Sequence, residues 1–319
     1  MPSAALPDWR NEADDSRRTL DRIDGWSGRA GLADLVAGFG GSLVGRGART
    51  RLHYLDDFAR HHWDFRQGRE RNLAPVATID EPMRRLVLSV APDLGFVGTG
   101  PPRLGAYDHV VMTGGMVRAC LVKPRHVARL IAGGLRTREV VFLGGFRRFA
   151  GDEARIASEL GVDADNEFDA MVAGVRRAFT GGSETPPPRY AGTTGNAAQA
   201  DLSWTIPSGL RLRVVAAPSS LPRLRRADTR DTYRHWARTV PERPASALIV
   251  TTPAYLPYQA ALAVEELGMD AGCVVDSVAT DLPASDLGDH TQLFGAQELL
   301  QELRAAIGGM RSLRGRLDS

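Results

Sequence analysis

The chain has 319 residues, 43% of them hydrophobic, enough for one large α/β domain with a smaller appendage. No apolar run approaches the roughly 20 residues of a membrane span, and the charged start Asp8-Trp-Arg-Asn-Glu-Ala-Asp-Asp15 is unlike a signal peptide. A net charge of +2 argues against a dedicated nucleic-acid binder. Cys120 and Cys273 lie far apart in apolar surroundings and fit reduced core thiols, so the expectation is a cytoplasmic protein. Of 40 basic residues only Lys123 is a lysine; the bland explanation is a GC-rich genome, the functional one that some arginines fork onto carboxylate or phosphate.

From Asp14 to about Ala91 the apolar residues recur at helical spacing: Leu20 and Ile23, then Leu32, Leu35 and Val36, then Leu52, Leu55, Phe58 and Ala59 within residues 50–65. Gly38-Phe-Gly-Gly41 and Gly45-Arg-Gly47 divide this unit, and Glu81 to Val90 adds a further helix. The arginine-dense segment Trp63-Asp-Phe-Arg-Gln-Gly-Arg-Glu-Arg71 reads either as a solvated helix end or as guanidinium groups offered to an acidic ligand. Pro92 to Gly105 is rich in Pro and Gly and reads as a connector, so residues 1–105 form a helical N-terminal unit and 106–319 the main domain.

Beyond residue 105 strands and helices alternate. Strands are expected at 110–113, 139–143, 210–216, 247–251 and 271–276, and helices at 125–132, 152–160, 169–179, 228–239, 255–267 and 292–307. This order predicts a Rossmann-like, open, mainly parallel sheet with helices on both faces and right-handed crossovers. Residues 181–208, with Pro186-Pro-Pro188 and Gly192-Thr-Thr-Gly195, interrupt the rhythm and read as a mobile excursion, either a lid or a disordered insertion, anchored by Trp204.

In such a sheet ligands bind where strands end. The first exit, Thr113-Gly-Gly-Met-Val-Arg118, offers Thr113, Gly114 and Gly115 as an anion cradle, with positive φ and clustered N–H groups, and Arg118 to close on the charge. The plainer reading of the glycine pair is a tight turn. The second exit, Leu143-Gly-Gly-Phe-Arg-Arg148, offers Gly144, Gly145 and Arg147, and leads to Asp152 and Glu153, which read as a helix cap with a first-turn acid or as a general base. Arg225-Arg-Ala-Asp-Thr-Arg-Asp-Thr232 carries more capping residues than one helix needs, which leaves Asp228, Thr229 or Asp231 for a ligand. The last exit, Thr251-Thr-Pro-Ala-Tyr-Leu-Pro-Tyr-Gln259, offers Thr251, Thr252, Tyr255, Tyr258 and Gln259, the tyrosines as stacking partners or as core aromatics. There is no GxGxxG fingerprint, so NAD is not expected, and no HExxH, GxSxG or Walker motif. No zinc site is expected from the scattered histidines.

In combination these four elements resemble the domain of unknown function shared by the bacterial ElyC, SanA and YdcF proteins. Asp108 with Thr113-Gly-Gly115, Arg125 or Arg129, Gly144-Gly145 with Glu153, Thr229-Arg-Asp-Thr232 and Val250-Thr-Thr-Pro-Ala-Tyr255 stand in that family's order across residues 106–276. Leu256 and Gln259 stand where the family has His and Arg. The resemblance implies a Rossmann-like fold and a ligand such as S-adenosylmethionine or a nucleotide.

The resulting expectation is an enzyme acting on a nucleotide-like or other anionic small molecule by group transfer or hydrolysis. Asp152, Glu153 or Asp231 would be the acid/base, the glycine amides and Arg118 would hold the charge, and Tyr255 and Tyr258 the flat part. The alternatives are a non-catalytic binding or partner protein and, more weakly, a metal-dependent phosphoesterase using Asp108, Asp152 and Asp231.

Overall fold

The computed structural model describes residues 5–69, 73–98, 100–180, 189–191, 195–240, 245–280 and 287–319. Seven strands form one sheet: β1 (Ala106–Thr113), β2 (Arg136–Gly144), β3 (Arg189–Ala191), β4 (Gln199–Thr205), β5 (Arg211–Ala216), β6 (Ser246–Thr251) and β7 (Val274–Ala279). Their order is β3-β4-β5-β2-β1-β6-β7, with β5, β2, β1, β6 and β7 parallel and β3 and β4 antiparallel to their neighbours. The chain steps outward from β1 to β2 to β5, then returns past β1 to lay down β6 and β7. The reversal falls between β1 and β6, where an open α/β sheet has its crevice.

The sheet is covered on both faces. Val110, Met112, Val140, Phe142, Leu212, Val214, Leu248 and Val250 pack with α5 (Val117–Ala132), α6 (Glu153–Glu159) and α7 (Glu167–Phe179). The alternate residues Val111, Val141, Val215, Ala247, Ile249 and Val275 pack on the other face with α8 (Thr229–Ala237) and part of α9 (Leu256–Ala263). This alternation is the period of two that a strand imposes. It explains why the strands read as unbroken apolar runs.

Two of the sequence expectations change here. Part of the excursion, residues 199–205, is strand β4, which extends the sheet beside β5 with Trp204 opposite Leu212 and half-buried against the helix-side core. Residues 181–188 and 192–194 lie outside the described residues. The helix expected from Asp169 begins at Glu167, because the Asn166 side chain accepts the Asp169 N–H at 3.0 Å and caps it there.

The N-terminal helices are α1 (Asp15–Ser27), α2 (Ala30–Gly38), α3 (Ala48–His62) and α4 (Glu81–Val90). They share one core with the last helix, α10 (Ala296–Leu317): Leu32, Leu52, Leu55 and Trp63 are buried with Leu300, Leu303, Ile307 and Met310. Residue 105 is therefore no boundary in the packing. The chain's start also joins the sheet: Trp9 and Val275 exchange backbone hydrogen bonds of 3.1 and 2.7 Å, covering part of edge strand β7. The shared core predicts that Leu303→Ala lowers stability by about 2–5 kcal/mol. Urea unfolding followed by α-helical circular dichroism should move as one transition; a separate transition with an unchanged second midpoint would show that the helical region folds apart from the sheet.

Candidate functional site

The site begins with how closely α5 and α7 approach each other. Pro124 within α5 has no N–H for the Cys120 carbonyl, and Gly174 of α7 packs directly over that oxygen. A Cβ on Gly174 would fall 1.9 Å from it, so only glycine fits. The contact brings the first turn of α7 under the β1 exit. There the Glu167 carboxylate accepts the Gly115 N–H at 2.6 Å.

Side chains hold the same turn at every side. Lys123, the single lysine, is completely buried and donates to the Thr113 carbonyl (2.6 Å), the Gly114 carbonyl (2.9 Å) and Thr113 Oγ1 (3.2 Å). Arg147 donates to the Gly115 carbonyl at 3.1 Å and grips Glu153 through two nitrogens at 2.5 and 2.8 Å. Glu153, itself completely buried, accepts the N–H groups of Val117 (3.2 Å) and Ala150 (3.1 Å). Thr251 lies beneath, accepting from the Thr113 hydroxyl at 3.1 Å.

The expected anion cradle is thus already occupied. The amides of Gly115 and Val117 serve the protein's own carboxyl groups, those of Glu167 and Glu153. None of Gly114, Gly115, Gly144 and Gly145 adopts positive φ. Gly114 and Gly144 are glycine for close approach. A Cβ on Gly114 would meet Glu167 Oε1 at 2.3 Å, and one on Gly144 would meet the Met171 side chain at 2.7 Å.

Above this floor a cleft of about 320 Å³ opens across the exits of β1, β2 and β6. It brings together Thr113, Gly114, Gly115, Gly144, Gly145, Arg147, Asp228, Thr229, Tyr255, Tyr258 and Gln259 of the expected residues. Sequence reasoning did not single out Glu167, Glu302, Thr232 or Met116, which also line it. Arg66 and Arg226 line it too, the first from the arginine-dense segment and the second from the segment noted for its helix caps.

Burial pushes the Glu167 carboxyl above the usual range, although Arg147, Arg226, the Gly115 N–H and Lys123 pull the other way. Burial also pushes the Tyr258 phenol up to about 12. Gln259 is only 6% exposed, and its Oε1 meets no donor among the described residues. Arg66 donates through Nε to the Arg69 carbonyl at 3.4 Å and pairs with no carboxylate among the described residues.

The three expected acid/base residues lie elsewhere. Asp152 is half exposed, makes no cap bond, and lies 3.6 Å from Arg155 and 3.9 Å from Arg118. All of Glu153's bonds go to Arg147 and the two amides, so it clamps turns together. Asp228 and Asp231 form a reciprocal capping box on α8, and Asp231 takes Arg225 at 2.5 Å. Burial raises the Asp231 carboxyl, but Arg225 and its other donors outweigh that and hold it low. Thr252 and Arg118 line a different cleft. Asp108 sits at the start of β1, bonded to Ser246 at 2.8–2.9 Å, far along the strand from Asp152 and Asp231, so the phosphoesterase trio does not converge. No cluster among the described residues has the donors to hold a metal ion.

A family model described as the Rv3785 N-terminal domain matches residues 10–95. The chain is 28% identical over 326 residues to uncharacterized protein Rv3785 of Mycobacterium tuberculosis strain ATCC 25618 / H37Rv, covering 94% of this chain and 90% of that protein. Uncharacterized proteins MT3893 of M. tuberculosis strain CDC 1551 / Oshkosh and Mb3814 of M. bovis match with the same identity and coverage. No solved structure matches. These findings overturn the ElyC/SanA/YdcF resemblance: the family match lies on the helical region outside that pattern, and the relatives are Rv3785-like along nearly the whole chain. The S-adenosylmethionine expectation, which rested on that resemblance, falls with it.

Two predictions follow from the floor of the cleft. Lys123→Met leaves the Thr113 and Gly114 carbonyls without their donor and should cost about 1.5–3 kcal/mol in urea denaturation; an unchanged midpoint would show that water replaces the ammonium. Glu167, with its folded-state value raised, keeps a proton that the unfolded chain has released, so its ionisation costs stability as pH rises from the ordinary glutamate range through the raised value. The melting temperature of Glu167→Gln minus that of wild type should therefore grow more positive from about pH 4 to about pH 8. A difference that stays flat or becomes more negative would mean that the cations around Glu167 win.

Proposed function

We propose that this cleft is the active site of an enzyme acting on a small anionic molecule by group transfer or hydrolysis, with Glu167 as the proton-transferring group. The observation that carries the reading is Glu167 itself: a buried carboxyl with a raised affinity for its proton, on the floor of a cleft at the sheet's reversal point. Its position is fixed by the Gly115 N–H, as a proton donor's must be.

The anionic end of the ligand is assigned to Arg66 and Arg226 rather than to the Gly115 amide, which already serves Glu167. The Gln259 amide, buried without a donor for its Oε1, supplies a contact for an N–H or O–H of the ligand. Tyr255 and Tyr258 bound the remaining wall.

A thermal-shift screen of nucleotides, sugar phosphates and small dicarboxylates tests the proposal. A ligand at 100 times its Kd should stabilise the protein by about 2.7 kcal/mol. Arg66→Ala and Arg226→Ala should each weaken any hit, while Glu167→Gln should bind it and lose about 10²–10⁴-fold in turnover. Hits indifferent to both arginines would remove the anion site. Full turnover in Glu167→Gln would remove the acid/base role, and binding with no turnover in wild type would leave a binding protein.

A further inference from the structure

A second cleft, of about 170 Å³, lies on the other side of the β6 exit and takes no part in the proposed chemistry. Arg118 and Val122 of α5 form one wall, Thr252 and Pro253 the next, and Leu287, Thr291 and Phe294 face them. The partition between the two clefts is an aromatic pair. Tyr255, which lines the first, meets Phe294, which lines the second, at 5.8 Å and 88°.

The informative group is Arg118. Its side chain is only 19% exposed, yet its guanidinium makes no hydrogen bond among the described residues, and its Nε is buried without a partner. Its nearest carboxylate, Asp152, stands 3.9 Å away, too far for a hydrogen bond. Arginines buried to this degree elsewhere among the described residues, Arg18, Arg22 and Arg314, each hold a carboxylate at hydrogen-bonding distance. A planar fork that donates to no described residue and lines a concave cleft matches a planar anion.

We propose that this second cleft binds a small monocarboxylate with a short apolar body, its carboxylate on the Arg118 fork and its tail between Val122, Leu287 and Phe294. Thr252 and Thr291 border the same space; the Thr291 hydroxyl already donates to the Gly288 carbonyl at 2.8 Å, so Thr252 is the hydroxyl that serves the carboxylate's remaining lone pairs. One cation with Asp152 nearby suits a single negative charge better than the double charge of a phosphate monoester. The volume holds on the order of six water-sized groups, at roughly 30 Å³ each, which sets the ligand's size. The site is independent of Arg66, Arg226 and Glu167, so its fate does not depend on the reading of the first cleft.

The probes are butanoate, n-butylamine and inorganic phosphate, each titrated into the full chain and followed by thermal shift and saturation-transfer NMR. Butanoate should bind saturably, n-butylamine should not, and phosphate should bind more weakly than butanoate. Arg118→Gln should weaken butanoate by about tenfold or more, as expected for loss of a charged hydrogen-bonding partner, with Arg118→Lys in between. Because the guanidinium donates no hydrogen bond among the described residues and meets Asp152 only at 3.9 Å, Arg118→Gln should change the melting temperature of the free protein little, which separates lost binding from lost folding. Arg66→Ala should leave butanoate binding intact. No saturable butanoate signal, unchanged affinity in Arg118→Gln, or loss of binding in Arg66→Ala in place of Arg118→Gln would overturn the assignment. Phosphate binding as tightly as butanoate would overturn the ligand class.

Discussion

The close crossing of α5 and α7 governs the rest of the site. A proline that cannot donate leaves the Cys120 carbonyl bare on the surface of α5, and a glycine on α7 lets backbone approach backbone at that point. With any side chain at Gly174 the helices would stand further apart, and the start of α7 would lift away from the β1 turn. Instead Glu167 reaches the Gly115 N–H, and Gly114 must be glycine because the carboxylate occupies the place of its Cβ. Three residues distant in sequence, Gly114, Pro124 and Gly174, thus answer to one packing constraint.

That crossing also concentrates charge. Lys123, Arg147, Glu153 and Glu167 all gather at one turn, two of each sign, and three of the four have direct ionic or backbone partners that use their geometry fully. Burying four charges is tolerable only because opposite signs and hydrogen-bonded backbone groups surround each. Glu167 is the least compensated: it has one amide and an Arg147 contact of 3.9 Å, and burial prevails over its cationic neighbours. Glu153 is held by Arg147 and two backbone N–H groups, while burial raises the affinity of the Glu167 carboxyl for its proton. Two carboxyl groups beside one arginine thus receive different numbers of donors, and only the sparsely served one lines the cleft.

Much of the scaffold was legible in the sequence, and the reason is physical. Buried parallel strands must be apolar on both faces, so Val110–Thr113, Glu139–Leu143 and Ala247–Thr251 stood out, and their exits located the cleft. The glycine pairs marked the right places for the wrong reason, since free turns and close-packed turns look alike in sequence. Glu167 was missed because Asp169 looked like the helix start; Asn166, three residues upstream of that acid and four before an apolar run, was the available cap signal. Asp152, Glu153 and Asp231 were conspicuous as acids at helix starts, and such positions are favoured by the helix dipole whether or not a ligand is near. Lys123 was visible as the one lysine among arginines. Nothing in a single sequence says that it lies beneath the Thr113 turn, because the spacing of ten residues acquires meaning only once α5 folds back along β1.

The helical core contributes what the sheet cannot. Strand exits alone make a floor and two sides; the opposite wall comes from Glu302 and Ala305 of α10 and from Arg66 just past α3. The backbone N–H of Arg66 donates to Gln301 of α10 at 3.1 Å, so that arginine's place is set by the last helix. α10 is in turn fixed by the core it shares with α1 to α4 and with α9, whose other end carries Tyr258 and Gln259 into the same cleft. A change in how the N-terminal helices pack would therefore be transmitted, through α10, to the side of the cleft that bears Arg66. The region matched by the Rv3785 N-terminal family model, residues 10–95, contains Arg66 and about half of the core that supports it. Its place in the structure is that of a wall of the site, and the sheet without it would present an open ledge.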